Sequence, residues 1–336
     1  MDPTARVPFG KTSLTTTRLG LGSAPLGGLF NAVPDATAHA VVQHAYDNGL
    51  RFYDTAPLYG YGSAEQRMGH VLAQQQPRDE FVLATKVGRL IRPREDAGAA
   101  LDAAGAGQFR EAPPLVPVFD FSYDAVMRSF EESLERLGVD RIDVLHIHDP
   151  DNHYDEALGG AYKALDKLRS EGVIKALGSG MNQAEMLARF AREGDFDCFL
   201  VAGRYTLLDQ AALPELLPIC EQKNIAIIIG GVYNSGILAN LENLERATFN
   251  YQPAERHWLD KARQIKAVCD RHSVPLQAAA LQFPLAHPAV AVVLTGARSV
   301  EELDQNIAFM QHPIPADLWA ELKATGLLPA EAPTPA

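Results

Sequence analysis

Short apolar runs alternate with longer amphipathic stretches along nearly the whole chain, the rhythm of repeated βα units. The runs predict strands over Arg18–Gly22, Arg51–Thr55, Phe81–Lys86, Ile142–His148, Ile174–Ser179, Cys198–Ala202, Ile225–Ile229 and Ala291–Leu294. Most are continuous rather than alternating, as expected of strands buried on both faces. Between them, apolar positions recur at helical spacing. In Ser122–Gly138, Val126, Phe130, Leu134 and Leu137 fall on one face, Ser122 is placed to cap the start and Gly138 to end it. Asp35–Asn48, Asp155–Ser170, Gln183–Arg192 and Val300–Met310 read as helices in the same way, and an extra amphipathic stretch, Ala254–His272, precedes the last strand. About eight strands with intervening helices predict an α/β fold, a single-domain (β/α)8 TIM barrel over residues 1–328.

Two stretches break the rhythm. Pro93–Pro117 is rich in Ala, Gly and Pro and follows the third predicted strand, so residues 93–117 are expected to form an active-site lid loop. The low-complexity end PAEAPTPA, residues 329–336, is expected to be a disordered tail.

Composition narrows the function classes. With 336 residues, 47% hydrophobic and 21% charged, the chain is neither fibrous nor disordered. Its 42 Asp+Glu against 30 Lys+Arg give a formal net charge of −12, which argues against a nucleic-acid or anionic-membrane partner. Cys198, Cys220 and Cys269 are odd in number and widely spaced, fitting a reducing compartment better than a disulfide framework. No run approaches the ~18 apolar residues that span a bilayer. A cytoplasmic protein, monomeric or weakly homo-oligomeric, is the expectation.

In a barrel, chemistry gathers where the C-terminal ends of the strands meet. The second predicted strand ends at Asp54, the third at Lys86 and the fourth at His148. Side chains alternate along a strand, so these three can converge on one mouth, and Tyr59, in the tight segment Pro57-Leu58-Tyr59-Gly60, lies close enough in sequence to fold over it. That is a proton-transfer site. A lysine ammonium beside a tyrosine hydroxyl favours the phenolate, Asp54 would hold Lys86 in place, and His148 could orient a substrate oxygen. A carbonyl or alcohol carbon with an adjacent hydride acceptor would complete an oxidoreductase. A distant alternative is a metal-dependent hydrolase using His146 and His148, since imidazole and carboxylate pairs suit zinc. No later strand ends in His or Asp to complete such a site, so no metal is expected. A barrel serving as a non-catalytic scaffold is opposed by the intact set of four.

The sequence resembles the aldo-keto reductase superfamily from roughly Val7 to Leu328. The carriers are Phe52-Tyr53-Asp54-Thr55-Ala56 with Tyr59-Gly60, then Thr85-Lys86-Val87, Asp143 to His148, and Gly296 to Glu301 with Asn306. The resemblance implies that Tyr59, Lys86, Asp54 and His148 are the catalytic set, with Tyr59 as general acid or base. His148-Asp149-Pro150-Asp151, Gly180 to Gln183, Ala202 to Asp209 and Gly231 to Gly236 are similar to the branch of sugar 1-dehydrogenases acting on L-fucose and D-threo-aldoses, with pyridoxal 4-dehydrogenases close by. That similarity implies NAD(P)-dependent oxidation of an aldose at C1 to the lactone, with Tyr59 as base. Aldehyde or carbonyl reduction with NADPH, or pyridoxal oxidation, are the alternatives.

The resemblance places the cofactor against Asn182, Val232, Asn234, Ser235, Gly236, Leu238, Arg298, Gln305 and Asn306. The chain departs from the family in three places. Asp149 stands where many members carry Trp after the catalytic His, Gly230 or Gly231 where many carry a Tyr against the nicotinamide, and the usual Gln is replaced near Ala202. Asp149, His153 and Arg204 are instead expected to give a polar pocket for a sugar. Arg298 could pair with a 2′-phosphate, whereas Glu302 would repel one, which leaves a slight preference for NADP over NAD.

Overall fold

The computed structural model describes residues 1–75, 77–241, 247–249 and 252–336. Among them, eight parallel strands close into a barrel: β1 (Leu19–Gly22), β2 (Phe52–Asp54), β3 (Val82–Val87), β4 (Val144–His148), β5 (Ala176–Met181), β6 (Cys198–Ala202), β7 (Ala226–Gly230) and β8 (Val290–Gly296). Each pairs with the next in sequence, and β8 pairs with β1. All eight predicted strands are present, shifted at their ends by a residue or two.

The register defines what fills the interior. Asp54 lies opposite Ala84, Lys86 opposite His146, His146 opposite Gly178 and His148 opposite Gly180. Alternate residues of every strand therefore point inward in shared layers, as the period of two requires. The lower layers are apolar, with Phe52, Val82, Ala84, Val144, Cys198 and Ile228 in one buried cluster. Phe9 belongs to it too, fully buried, with its ring 5.7 Å from that of Phe52. It hangs from an antiparallel hairpin (Arg6–Pro8 with Thr15–Thr17) that closes the N-terminal end of the barrel. Small residues make room beside large ones: a Cβ on Gly178 would meet the His146 Nδ1 at 2.5 Å.

Outward-facing strand residues pack against a ring of helices in the main core. The predicted helix near 122–138 runs over Tyr123–Leu137, with the Ser122 hydroxyl accepting from the Ala125 N–H and Gly138 ending it at φ 63°. The helix expected over Asp155–Ser170 contains a π-turn at Ala157–Ala161. Within it Gly160 packs against the chain before the preceding helix, where a Cβ would stand 2.4 Å from the Phe121 carbonyl oxygen. Helices over Ser63–Leu72, Leu216–Lys223, Leu276–Gln282 and Ala316–Ala324 add to those expected from the sequence. Among the described residues no helix is long and apolar enough to cross a membrane.

The stretch expected as a lid loop without regular structure is in part a hairpin. Arg89–Pro93 pairs antiparallel with Leu115–Phe119, and the apolar residues Leu90, Ile91, Val116 and Val118 of the two strands are buried. The tip returns to the barrel rim, where Tyr61 Oη donates to the Gly105 carbonyl (2.9 Å) and the Arg110 N–H donates to the Gly28 carbonyl (2.9 Å). Residues 329–336, expected to be disordered, do not leave the surface: Leu327, Leu328 and Ala332 are buried in the main core. The two leucines anchor the segment, and a turn from Pro329 folds Ala332 back beside them.

Candidate active site

The strand ends deliver their side chains to a cavity of about 280 Å³ at the C-terminal mouth of the barrel. Lys86 lines its base, with Asp54 behind it. Each is 1% exposed, and Lys86 Nζ donates to Asp54 Oδ2 at 2.6 Å and to the Thr55 carbonyl at 2.8 Å. The neighbouring Thr85 is held from outside the barrel, where its hydroxyl donates to the buried Glu65 carboxylate (2.7 Å), itself paired with Arg136. Burial pushes the Asp54 carboxyl above its ordinary value, and the Lys86 charge offsets only part of that. Its Oδ1 is buried without a hydrogen-bond partner.

Tyr59 reaches this pair because the backbone around it bends tightly. Gly60 sits at φ 61°, and a Cβ there would collide with Ser63 Oγ at 2.1 Å and the Gly27 carbonyl at 2.5 Å. Only glycine fits. The resulting turn lays the Tyr59 ring over Lys86, with Nζ 4.7 Å from the centroid, a cation–π distance. The same ring meets His148 edge-on at 5.8 Å and 90° and Phe109 of the covering hairpin at 6.2 Å.

His148 completes the group. Burial first, then the charges of Arg89 and Lys86, hold its pKa well below the usual imidazole value, so it is neutral at physiological pH. Its Nε2 lies 3.5 Å from Asp149 Oδ2, and its Nδ1 is buried without a partner. His146, one layer below, is driven down to about 3 by burial and by Lys86. Tyr59, Lys86 and His148 thus line one cavity, and Asp54 joins them through its hydrogen bond to Lys86.

The other expected site residues divide. Asp149 lines the cavity, with its side chain 32% exposed. Asn182 lines both this cavity and a smaller one of about 50 Å³ shared with Asn234 and Ser235. Asn234, Ser235 and Gly236 are three successive left-handed residues (φ 47°, 55° and 93°). Asn234 Nδ2 donates to the Gly203 carbonyl at 3.2 Å, and its buried Oδ1 has no partner. Val232 and Leu238 are core residues. Asn306 is buried and accepts from Tyr233 Oη at 2.8 Å, while Gln305 is exposed. Arg298 is paired with Glu302 at 2.7 Å.

His153 and Arg204 are not among the residues lining the main cavity. His153 leans on Phe119 and Phe121 and pairs with Glu156 at 2.9 Å. Arg204 lies 3.7 Å from Asp209 and over the Phe249 ring, in a separate depression with Trp258. In both cases the turn that follows the strand carries the side chain away from the mouth. Sequence reasoning missed Arg89, Asp102, Gln108 and Phe109, which line the cavity from the covering hairpin. The available signal was Arg89 itself, a cation directly after Gly88 and before the apolar pair Leu90-Ile91. Among the described residues, no group of three or more His, Cys, Asp or Glu is arranged to hold a metal ion.

Fold and site together define a (β/α)8-barrel oxidoreductase acting on CH–OH groups. The chain belongs to the Aldo/keto reductase family, whose model matches residues 18–326. It is 45% identical over 313 residues to D-threo-aldose 1-dehydrogenase from a Pseudomonas species, covering 93% of this chain and 94% of the relative. It is also 42% identical to pyridoxal 4-dehydrogenase from Microbacterium luteolum, covering 95% of this chain and 97% of the relative. Among solved structures, an aldo-keto reductase from Bacillus halodurans in its holo form superposes with a TM-score of 0.74 at 23% identity, covering 98% of both chains. Members of the family use NAD(P)H and act on small molecules.

The residues present fit such a cofactor. Asn234, whose buried Oδ1 has no partner, lines a cleft that meets the main cavity at Asn182. A dinucleotide lying along that line would bring its nicotinamide end to Asn182 and the Lys86–Tyr59 group.

Proposed function

We propose that this protein oxidises the anomeric hydroxyl of an aldose to the lactone with NAD(P)+. The observation that carries the reading is a polar mouth set directly above a buried lysine–carboxylate pair: Arg89, Asp102, Asp149, Asp151 and Gln108 share the cavity with Tyr59 and Lys86. A ring bearing several hydroxyls finds acceptors and donors there that a purely apolar aldehyde would leave unpaired.

Oxidation at C1 removes the C1 hydrogen with its electron pair and the proton of the hydroxyl. When bound, the nicotinamide supplies the hydride acceptor. Tyr59 takes the proton as general base, and the Lys86 charge beneath its ring stabilises the negative oxygen it carries beforehand. Asp54 holds Lys86 by the short hydrogen bond and keeps the ammonium aimed upward. His148, neutral, donates a hydrogen bond to the substrate oxygen and fixes which hydroxyl faces Tyr59. Asn182 would hold the carboxamide of the cofactor, and Asn234, Ser235 and Gly236 its phosphates. Arg298 would reach the 2′-phosphate once it leaves Glu302, which favours NADP+ slightly. The 93–117 segment covers the sugar.

Oxidation of pyridoxal is the second reading. It is favoured by the pyridoxal 4-dehydrogenase relative, matched over 97% of its length, and by Phe109, whose ring stands beside Tyr59 where a pyridine could stack. The deciding experiment follows reduced-nicotinamide formation with L-fucose and with pyridoxal, offering NADP+ and NAD+ in parallel. Tyr59→Phe is the control, expected to lose turnover while binding cofactor with unchanged affinity. Sugar turnover that persists in Tyr59→Phe would overturn the assignment of the base, and turnover of pyridoxal alone would move the substrate to the second reading.

A further inference from the structure

Arg89 is a cation that takes no part in the proton and hydride steps assigned to Tyr59, Lys86, Asp54 and His148. It enters the site from the first strand of the covering hairpin and is 7% exposed. Its donors are turned inward: Nε to Asp102 Oδ2 at 2.7 Å, and one terminal nitrogen to both Asp149 Oδ2 at 3.0 Å and the His148 carbonyl at 3.3 Å. One guanidinium therefore joins the covering loop, the end of β4 and the residue just beyond the catalytic imidazole. Asp102 in turn accepts from the Gly105 N–H at 2.9 Å, so the loop tip is folded onto the same anchor.

Asp149 is the strained member of this junction. Its φ of 41° is left-handed, an uncommon state for a residue with a Cβ. Its N–H donates to the Gly180 carbonyl at 2.9 Å, and Arg89 holds its carboxylate. The oxygen that Arg89 holds is also the one 3.5 Å from His148 Nε2. A carboxylate alone beside an imidazole favours the imidazolium, which would carry a second positive charge into a site already occupied by Lys86. Arg89 offsets that carboxylate. The other charged or titratable groups facing His148 are Lys86 on β3, His146 on its own strand and the edge of Tyr59, whereas β5 presents the uncharged Gly180 opposite it.

We propose that Arg89 is a positioning residue for the reaction, clamping Asp102, Asp149 and the His148 carbonyl in one geometry and so holding His148 in place as a hydrogen-bond donor to the substrate oxygen. The inference rests on His148 being the group that orients that oxygen, but its test can be read without any substrate. Lysine could supply the charge of Arg89 without its fork, and so separates the electrostatic part from the geometric part.

The experiment records nitrogen-edited imidazole spectra of the full-length protein from about pH 5 to 8, with the His148 signal assigned by its loss in His148→Asn. In the native protein His148 stays neutral throughout. In Arg89→Gln, where burial and Lys86 still disfavour the charge, protonation moves up towards the ordinary imidazole value of ~6.5 without reaching it, entering at the acid end of the range, and the pH profile of kcat/KM gains an acid limb at the same point. Arg89→Gln/Asp149→Asn, which removes the uncompensated carboxylate, returns the imidazole to its neutral form. Arg89→Lys keeps it neutral but lowers kcat roughly 10- to 100-fold, because a single nitrogen cannot span Asp102 on one side and Asp149 with the His148 carbonyl on the other as the planar fork does. An Arg89→Gln imidazole that stays neutral across the range overturns the proposal, as does an Arg89→Lys protein with native kcat. Should Arg89→Gln fail to fold, the lysine variant decides alone. Absence of sugar oxidation would refute the substrate reading and leave the imidazole titration to be judged separately.

Discussion

Lys86→Met would remove the charge beneath Tyr59 and keep most of the side-chain volume. In the native protein Lys86 and Asp54 are each 1% exposed and 2.6 Å apart. The variant leaves a buried carboxylate whose Oδ2 has lost its lysine donor and whose Oδ1 had no partner to begin with. Breaking a buried pair in this way costs about 3–5 kcal/mol. The cost depends on pH, and its sign comes from burial, which already pushes Asp54 above its ordinary value with the lysine present. Below the unfolded carboxylate pKa of ~3.9 both states are protonated and the penalty is small. As pH rises through that value the unfolded chain releases its proton and the folded one retains it, so stability is lost progressively until the folded pKa is passed. Urea unfolding at about pH 4.5 and pH 8, monitored by tryptophan fluorescence and far-ultraviolet circular dichroism, measures the difference. Lys86→Met/Asp54→Asn should recover most of the lost stability and none of the turnover. A Lys86→Met protein as stable as its parent at pH 8, or a double variant no more stable than the single one, would refute this account of the pair.

Deleting residues 103–108 at the hairpin tip should raise the KM for the sugar about tenfold with less effect on cofactor affinity, since the tip supplies cavity wall rather than cofactor contacts. An unchanged KM would remove the covering role. Glu302→Gln should free the Arg298 fork, held at 2.7 and 3.1 Å, and raise the NADP+/NAD+ ratio of kcat/KM by roughly tenfold, the scale of one charge-assisted pair. A constant ratio would place the 2′-phosphate elsewhere. Gly160→Ala puts a Cβ 2.4 Å from the Phe121 carbonyl and should destabilise the fold by about 1–3 kcal/mol in the same unfolding assay. A neutral effect would mean the π-turn can relax.

The barrel is legible in the sequence because its strands are short, continuous apolar runs whose ends carry Asp54, Lys86 and His148. Alternation with a period of two fixes which side chains enter the interior, so convergence of those three can be inferred without knowing any distance. The helix Leu276–Gln282 is hidden for the opposite reason. Its LQAAALQ run is buried at six of seven positions, so it has no polar face to betray a helical period. Ser63–Leu72 begins directly after left-handed Gly62 and reads as the continuation of a turn. Arg89, Asp102 and Phe109 belong to a segment that folds back over the mouth, and no periodicity connects such a segment to strand ends. His153 and Arg204 show the converse: polar residues just past a strand end reach the mouth only if the turn points them there.

Phe9 closes the barrel from below. Phe9, Phe52 and the apolar residues around them fill the layer beneath Lys86, so among the described residues the cavity is reached from the mouth, where Asp102, Ala104, Gly105, Gln108 and Phe109 form part of the wall. Under the proposed mechanism, substrate, product and the proton that Tyr59 would collect share that doorway. Opening of the hairpin would then time the release of the proton as well as the product, and a catalytic cycle slowed at that doorway would show its solvent isotope effect in release rather than in the bond-breaking step.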